Sequence, residues 1–294
     1  MTTRWKSDLI LLFVAAVWGS GFVAQRLAAA SLGAFYFNGG RFLLAALLLL
    51  PLTRFKWRGE SNRLPWMTAA GVLLFAAAGL QQAGLATTTI GNASFITGLY
   101  VVLVPLLMFL IWRRRISWLS LFATLVAAIG VGLLSLQGEF RLTPGDMLEL
   151  MGAVLWACHV ILVGRLADQG IDVLWFAVIQ FAVCGALSML LALVLDPPGA
   201  AAMSGSGLAI LYSAVIPIGI GFTLQAVGQK GAPAVDAAII LSMEAVFGTL
   251  FGYLFLQELL SARQLLGCML ILVAMILAQF RQPPAFEPVE IAPG

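Results

Sequence analysis

The stretch that decides the fold is residues 93–115, which read ASFITGLYVVLVPLLMFLIWRRR. Residues 93–112 carry no charge, and Arg113, Arg114 and Arg115 follow them directly. About 20 apolar residues suffice for a helix to cross the hydrocarbon core of a bilayer. Lys and Arg accumulate where such a helix meets the cytoplasm. The stretch therefore predicts a membrane-spanning helix whose carboxyl end lies on the cytoplasmic side.

The composition of the whole chain indicates the same environment. Of its 294 residues 62% are hydrophobic and 10% are charged, and the mean hydropathy is +1.02. Soluble domains carry about 25% charged residues, so this composition excludes a soluble enzyme, a nucleic-acid-binding protein and a secreted disulfide scaffold. The three cysteines, Cys158, Cys184 and Cys268, lie inside apolar runs without metal-ligand spacing. We therefore expect no metal site and no cofactor.

Apolar runs of this kind recur along the chain. Cutting the sequence where charges, Pro-Gly or Ser-Gly clusters interrupt them predicts ten membrane-spanning segments. Their approximate bounds are 8–28, 33–52, 66–86, 93–112, 117–136, 146–165, 172–195, 207–229, 234–256 and 262–280. The connections are short, so we expect the function to reside in the helices rather than in an extramembrane domain.

The distribution of Lys and Arg predicts the orientation of these segments. With a cytoplasmic amino terminus, most basic residues fall on the cytoplasmic side: Arg4, Lys6, Arg54, Lys56, Arg58, Arg63, Arg113, Arg114, Arg115, Arg165, Lys230 and Arg281. The opposite side receives only Arg26, Arg141 and Arg263. Because basic residues are enriched in cytoplasmic loops, both termini are predicted to be cytoplasmic. A cleaved secretory signal is the alternative for the first segment, but such a leader would lack the mid-chain counterpart described next.

The two halves of the chain share a weak internal repeat. Three matches occur in the same order at offsets of 138 to 144 residues. Trp18 and the RLA at 26–28 match Trp156 and the RLA at 165–167, and the LQ at 80–81 matches the LQ at 224–225. Residues 112–117 align with residues 256–261. We therefore predict two homologous five-helix units, residues 8–136 and 146–280, followed by a cytoplasmic tail, 281–294.

An odd number of helices per unit has a topological consequence. The second unit must enter the membrane from the side opposite to the first, so the two units are inverted repeats. Inverted repeats are typical of transporters, in which they provide two nearly equivalent packings around a site at the repeat interface. The predicted fold class is an all-α integral membrane protein with ten transmembrane helices in two inverted five-helix repeats.

The sequence also resembles a known family. The resemblance is carried by GRFLLA at 40–45, GLYVVLVP at 98–105, the pattern GD…W…RLA at 145–167 and the pattern EA…EL…G at 244–267. These motifs are similar to those of the EamA-domain branch of the drug/metabolite transporter superfamily, over about residues 8 to 280. The resemblance implies ten helices in two units that export small metabolites across the bacterial inner membrane. Aromatic and other neutral amino acids are the nearest substrate class, with drugs or other metabolites as alternatives.

Three ionisable residues fall in the middle of predicted segments: Arg41, His159 and Glu244. A charge at the bilayer centre costs roughly 2.5–3.5 kcal/mol on insertion scales, so each needs a partner or a water-filled cavity. We expect Glu244 either to load a proton or to bind the ammonium group of a substrate, with a structural ion pair to Arg41 as the alternative. Arg41 is interpreted as structural. His159 has no second ligand at metal-binding spacing and is expected to line a cavity.

Uncharged polar and aromatic residues complete the predicted site. The glutamines occupy or adjoin repeat-related positions, and Trp18 corresponds to Trp156 across the repeat, where the two rings would cradle an apolar or aromatic substrate. The predicted substrate-binding residues are Trp18, Gln81, Gln82, Tyr100, Trp156, His159, Gln225 and Glu244. For each of these side chains helix packing alone is the alternative. The cavity is expected between segments one to four and six to nine, with segments five and ten peripheral.

Two prolines are predicted hinges. Pro105 interrupts segment four and Pro217 interrupts segment eight. Each removes one backbone hydrogen bond and favours a kink that neighbouring groups must satisfy.

A secondary transporter that works by alternating access is the function that these observations favour. Its expected partners are a small-molecule substrate such as an amino acid, membrane lipid and a proton as coupling ion, with no nucleic acid; the chain would act as a monomer or a homodimer. No Walker motif is present, so direct use of ATP is not expected. The main alternative, a membrane enzyme acting on lipid or peptide, would need a catalytic pair at depth. Glu244 and His159 lie on distant segments and do not supply one, so no catalytic residue is predicted.

Overall fold

The computed structural model describes residues 3–29, 32–57, 61–85, 87–88, 90–113, 116–136, 143–195, 200–256 and 261–280. Within these ranges the chain is helical and contains no strand. The predicted tail, 281–294, lies outside the described residues.

The described part of the first half contains six α-helices. These are α1 (Thr3–Ala29), α2 (Ala34–Leu49), α3 (Leu64–Gly84), α4 (Ile90–Gly98), α5 (Tyr100–Trp112) and α6 (Trp118–Ser135). Two short 3-10 turns, Leu50–Thr53 and Ser61–Arg63, lie between α2 and α3. Predicted segment four is thus divided into α4 and α5, with the interruption at Leu99.

The described part of the second half follows a related plan. Its α-helices are α7 (Pro144–Asp168), α8 (Val173–Leu195), α9 (Ala200–Ser213), α10 (Thr223–Gly228), α11 (Ala234–Leu241), α12 (Met243–Leu256) and α13 (Ala262–Gln279). A π-helix, Ala214–Phe222, joins α9 to α10. Segment nine is divided into α11 and α12 at Ser242, and segment eight is one continuous helical run that includes the π-helix.

All ten predicted segments contain helix. Among the described residues, six helical stretches are both long and apolar enough to cross a membrane: Ala34–Thr53, Ser61–Gly84, Pro144–Asp168, Val173–Leu195, Ser206–Gly228 and Ala234–Phe251. Shorter apolar helices occupy Phe95–Ile111, Trp118–Leu134 and Ala262–Ala278. The sequence-based prediction of an all-helical, multi-pass membrane protein agrees with this architecture.

Local capping explains where several helices begin. At α7, the Thr143 hydroxyl accepts from the backbone N–H of Asp146 and the Asp146 carboxylate accepts from the backbone N–H of Thr143, with Pro144 in the first turn. This reciprocal arrangement satisfies two backbone donors that the helix leaves unpaired. Ser261 and Gln264 form the same arrangement at the start of α13.

Helices from the two halves pack against each other in corresponding pairs. Helix α2 packs against α8, its counterpart in the predicted repeat, and α6 packs against α13 in the same manner. Helices α6 and α13 cross closely at Gly130 and Gly267. An added Cβ at Gly130 would lie 2.8 Å from the carbonyl oxygen of Gly267, and an added Cβ at Gly267 would lie 2.6 Å from the carbonyl oxygen of Gly130. Small residues allow such close backbone approach between membrane helices.

Candidate functional site

A cavity lies at the junction of the two halves. It is lined from the first half by Trp18, Gln25, Arg41, Phe42, Gln81, Thr97 and Tyr100, and from the second half by Trp156, Val160, Pro217, Ile218, Phe222, Gln225 and Glu244. Among the described residues, no lining residue belongs to α6, α8 or α13. The expected peripheral position of segments five and ten agrees with this arrangement, whereas segment seven (α8), which was expected to border the cavity, supplies none of these lining residues.

One wall of the cavity is aromatic and is centred on Phe222. The ring centroids of Trp18 and Phe222 are 4.7 Å apart, and the Trp156 ring is stacked on Phe222 at 6.0 Å with an interplanar angle of 14°. The ring centroids of Phe42 and Phe222 are 6.2 Å apart. Trp18 and Trp156 therefore belong to one aromatic cluster, in which each indole contacts Phe222 of the π-helix.

The indole N–H groups of Trp18 and Trp156 differ in their hydrogen bonding. The Trp18 indole N–H donates to the carbonyl oxygen of Pro217 at 3.0 Å, which ties α1 to the π-helix of the other half. The Trp156 indole N–H is buried and has no hydrogen-bond partner. A buried donor without a partner is uncommon in folded proteins.

Glu244 and Tyr100 lie on broken segments at equivalent places. Each follows an interruption of its segment, Tyr100 after Leu99 and Glu244 two residues after Ser242, and their sequence numbers differ by the repeat offset of 144. The Tyr100 hydroxyl is buried and makes no hydrogen bond of normal geometry, while it lies within electrostatic range of the Glu244 carboxyl group. The two side chains therefore lie beside each other at the cavity wall.

Arg41 lies in α2 with its guanidinium group at the cavity wall. Its side chain is 5% exposed and lies over the Phe37 and Phe42 rings, 4.6 and 5.3 Å from the two centroids. The ion pair between Arg41 and Glu244 that the sequence offered as an alternative is not formed: the salt bridges among the described residues involve Arg4, Asp8 and Asp236. The structural interpretation of Glu244 as a partner of Arg41 is therefore wrong.

A chain of hydrogen bonds leads from the cavity wall to a buried carboxyl group. Gln81 donates to the Thr97 hydroxyl at 3.2 Å, and Thr97 donates to Glu149 at 2.9 Å. Glu149 is fully buried in α7, and its second carboxyl oxygen has no partner. Gln225, the repeat counterpart of Gln81, lines the cavity with both amide atoms unpaired. A ligand or water is therefore needed to satisfy Gln225.

Two of the predicted site residues do not line the cavity. Gln82 is buried but points away from it, because neighbouring positions on a helix differ by about 100° in direction. His159 lies behind the aromatic wall, where its ring contacts Phe222 at 5.9 Å and its Nε2 shares a hydrogen bond of 3.0 Å with Gln180. The remaining six, Trp18, Gln81, Tyr100, Trp156, Gln225 and Glu244, share the one cavity.

The two predicted hinge prolines lie in different kinds of helix. Pro105 lies inside α5, which continues through it. The interruption of that segment is at Leu99, whose N–H is shared between the carbonyls of Phe95 and Ile96. Pro217 lies within the π-helix and lines the cavity. A π-helix inside an α-helical run often occurs at a functional site, and here it brings Phe222 to the aromatic wall.

Sequence reasoning missed several lining residues. Phe42, Val160, Ile218 and Phe222 lie in apolar runs and carry no signal that separates a cavity residue from a lipid-facing one. Glu149 did carry a signal, since it is a carboxylate six residues beyond Thr143, the N-cap of α7, and therefore lies inside an apolar helix. No group of three potential metal ligands occurs among the described residues.

A cavity with aromatic and polar side chains, set among apolar helices, is typical of a membrane protein that binds a small molecule. The sequence profile of the EamA-like transporter family matches the chain twice, over residues 5–136 and 143–280. The chain belongs to the EamA-like transporter family.

Relatives of the chain carry the same general description. An uncharacterized transporter of Archaeoglobus fulgidus is 30% identical over 281 residues, which cover 95% of this chain and 87% of the relative. An uncharacterized transporter of Methanothermobacter thermautotrophicus is 26% identical over 189 residues, 62% of this chain and 54% of that protein. A solved crystal structure superimposes with a TM-score of 0.80 at 18% identity, covering 95% of this chain and 99% of the other, which concerns the fold alone.

These findings define the class of the protein. It is a multi-pass membrane transporter rather than an enzyme, and its partners are a small-molecule substrate and membrane lipid.

Proposed function

We propose that the chain is a secondary transporter with ten spans that exports neutral amino acids, aromatic ones foremost, across the bacterial inner membrane by alternating access. The observation that carries the proposal is the cavity, which combines an aromatic wall with a carboxyl group and lies between the two halves. A neutral amino acid presents complementary parts: an apolar side chain and an ammonium group.

The proposed architecture is two inverted five-helix units, residues 8–136 and 146–280, with both termini and the tail 281–294 in the cytoplasm. Three observations support it: the family profile matches twice, corresponding helices pair across the halves, and segments four and nine are interrupted at equivalent places. Inverted units offer two packings of similar energy around one site, which is the structural basis of alternating access.

The proposed binding mode assigns a role to each part of the cavity. Trp18 and Trp156 would hold the aromatic side chain by stacking and edge contacts, which contribute about 0.5–1.5 kcal/mol per aromatic pair beyond area burial. Glu244 would bind the ammonium group or exchange it for a proton, with Tyr100 beside it. Gln81 and Gln225, at equivalent positions in the two halves, would satisfy the remaining polar groups.

The proposed motion is a rocking of the two halves about the cavity. Pro217 in the π-helix is the better placed hinge, because Trp18 of the first half donates a hydrogen bond to its carbonyl oxygen. Pro105 would bend α5 below the interruption at Leu99. These two positions differ in the two halves, so the halves would bend differently.

Counterflow into proteoliposomes tests the function. Liposomes containing the purified chain are loaded with one unlabelled compound from a panel of amino acids, drugs and other metabolites, and uptake of labelled L-phenylalanine is measured. We expect unlabelled aromatic and neutral amino acids to drive uptake of the label. Failure of every unlabelled amino acid to drive uptake of labelled L-phenylalanine would overturn the substrate class.

A matched pair of variants tests whether the cavity is the transport site. Trp156→Leu removes a ring from the aromatic wall, whereas Trp118→Leu removes one that is 86% exposed on α6. We expect Trp156→Leu to lower counterflow of L-phenylalanine several-fold and Trp118→Leu to leave it unchanged, with thermal unfolding of both variants as the control for folding. Equal transport by the two variants would exclude the proposed role of the aromatic wall.

A further inference from the structure

Arg41 is a buried cation for which the described structure supplies no partner. Its side chain is 5% exposed, its Nε is buried without a hydrogen-bond acceptor, and no hydrogen bond or ion pair joins its guanidinium group to another described residue. The ionisable group that faces it from α8 is the thiol of Cys184. A guanidinium group stays protonated in proteins, so Arg41 brings a full positive charge into the membrane.

The contacts of Arg41 compensate that charge only in part. The guanidinium group lies over the rings of Phe37 and Phe42, and such contacts are favourable but leave the N–H donors unpaired. Charges within membrane helices are almost always paired or directed into a polar cavity. Arg41 lines the cavity, so the missing anion can enter from there.

The charges of the cavity restrict what that anion can be. Glu244 is the carboxylate that lines the same cavity, and it forms no ion pair with Arg41. A multiply charged anion such as a phosphate would meet one cation and one opposing carboxylate. A carboxylate on a molecule that also bears an ammonium group would match both charged side chains.

We infer that Arg41 is the carboxylate-binding residue of the substrate site, so that the substrate spans the cavity with its carboxylate on Arg41 and its ammonium group on Glu244. This inference rests on the proposed function for the identity of the substrate. The planar guanidinium fork binds carboxylates through two parallel hydrogen bonds. The bound substrate thereby connects α2 of the first half with α12 of the second.

Three probes with the same aromatic ring separate the two charges: L-phenylalanine carries both, 3-phenylpropionate only the carboxylate and 2-phenylethylamine only the ammonium group. Binding of each to the purified full-length chain is measured as a concentration-dependent rise in the thermal unfolding midpoint, because a ligand of the native state stabilises it. We expect the wild-type chain to bind L-phenylalanine best and 3-phenylpropionate through Arg41.

Two substitutions and a control complete the experiment. Arg41→Met removes the charge and keeps an apolar chain, Arg41→Lys keeps the charge without the fork, and Arg263→Met removes an exposed arginine at the start of α13. We expect Arg41→Met to lose about 10- to 100-fold in affinity for L-phenylalanine, the range of a charge-assisted hydrogen bond, and to bind 2-phenylethylamine as before. Arg41→Lys should lose less affinity for L-phenylalanine than Arg41→Met, and Arg263→Met should bind L-phenylalanine as the wild-type chain does.

Stability without ligand distinguishes binding from a structural role. Removing an uncompensated buried charge should leave Arg41→Met at least as stable as the wild-type chain, whereas a structural arginine would make it less stable. Wild-type affinity of Arg41→Met for L-phenylalanine and 3-phenylpropionate would overturn the inference. The inference would also be overturned if the wild-type chain bound 2-phenylethylamine as tightly as L-phenylalanine. This test uses the wild-type chain alone.

The outcomes separate this inference from the proposed function. If L-phenylalanine is transported but Arg41→Met transports it normally, the inference fails and the amino-acid transporter stands. If 3-phenylpropionate binds in an Arg41-dependent manner while no amino acid is transported, the anion site stands and the amino-acid substrate is wrong. If the wild-type chain binds none of the three probes, the inference is overturned, and the counterflow panel decides the transport function separately.

Discussion

Replacing Gly19 by alanine should separate α1 and α12, two helices that pack against each other and that both contribute residues to the cavity. An added Cβ at Gly19 would lie 2.7 Å from the backbone nitrogen of Gly248, 2.7 Å from the Cβ of Phe247 and 2.8 Å from the carbonyl oxygen of Glu244. Two of these atoms belong to the backbone of α12, so no side-chain rotation can relieve the contacts. Helix α1 must therefore move away from α12, next to the residue proposed to bind the substrate.

The size of the effect follows from two opposing contributions. Overpacking of a tight contact costs about 1–3 kcal/mol, and alanine in a helix is favoured over glycine by about 1 kcal/mol. Gly207 in α9 supplies a control, since an added Cβ there would have no atom within 4 Å. Both variants share the helix-propensity gain. The difference between them therefore isolates the packing cost of about 1–3 kcal/mol.

Thermal unfolding of the purified variants in one detergent measures this difference. A change of 1 kcal/mol shifts the midpoint by about 2–4 °C in chains of 150–250 residues, so Gly19→Ala should unfold at least about 2 °C below Gly207→Ala. We also expect Gly19→Ala to transport more slowly. A midpoint for Gly19→Ala equal to or above that of Gly207→Ala would refute the close contact between α1 and α12.

Three further predictions concern charge, topology and the coupling of the halves. Glu244→Gln should lower L-phenylalanine counterflow about tenfold or more while the unfolding midpoint changes little, and wild-type transport with an unchanged pH dependence would eliminate the functional role of this carboxyl group. Single cysteines at Gly138 and Gly199, which lie outside the described residues, should react with an impermeant reagent from the external side once the native cysteines are replaced; labelling only from the cytoplasm would contradict the proposed topology. Trp18→Phe keeps the ring contact but loses the hydrogen bond to the Pro217 carbonyl, so it should reduce stability by about 1 kcal/mol, measured by thermal unfolding; an unchanged midpoint would show that this bond contributes nothing.

The helical membrane class and the positions of the helices could be predicted from the sequence. These properties depend on local composition, because a run of about 20 apolar residues is sufficient to specify a spanning helix wherever it occurs. The equivalence of Trp18 and Trp156 across the repeat and the position of Glu244 within segment nine could also be predicted, since both follow from numbering along the segments.

The internal breaks of the helices could be predicted only in part. Pro105 marks segment four, yet the interruption lies at Leu99, next to Gly98, where an added Cβ would lie 2.7 Å from a methyl carbon of Val131 on α6. Ser242 interrupts segment nine without any proline, and its hydroxyl donates to the carbonyl of Ile239 at 2.7 Å. Such breaks depend on which helices approach the segment, and the sequence of the segment alone does not contain that information.

The direction of each side chain was decided by the tertiary structure. Gln81 lines the cavity and its neighbour Gln82 does not, and Trp156 lines it whereas His159 packs behind the aromatic wall. Amphipathic periodicity, which would reveal the direction of a helix face in a soluble protein, is weak here because lipid and the protein core are both apolar. The helix face that meets the cavity is therefore set by packing against helices that are distant in the sequence.

Arg41 and Glu244 illustrate most clearly the difference between what the sequence predicts and what depends on helix packing. The sequence shows that Arg41 and Glu244 lie within apolar segments, because the residues on both sides of them are apolar. That they line one cavity without forming an ion pair is apparent only from the packing of the helices. The distance between two charges on different helices depends on how those helices cross, and that geometry arises from contacts between residues far apart in the chain.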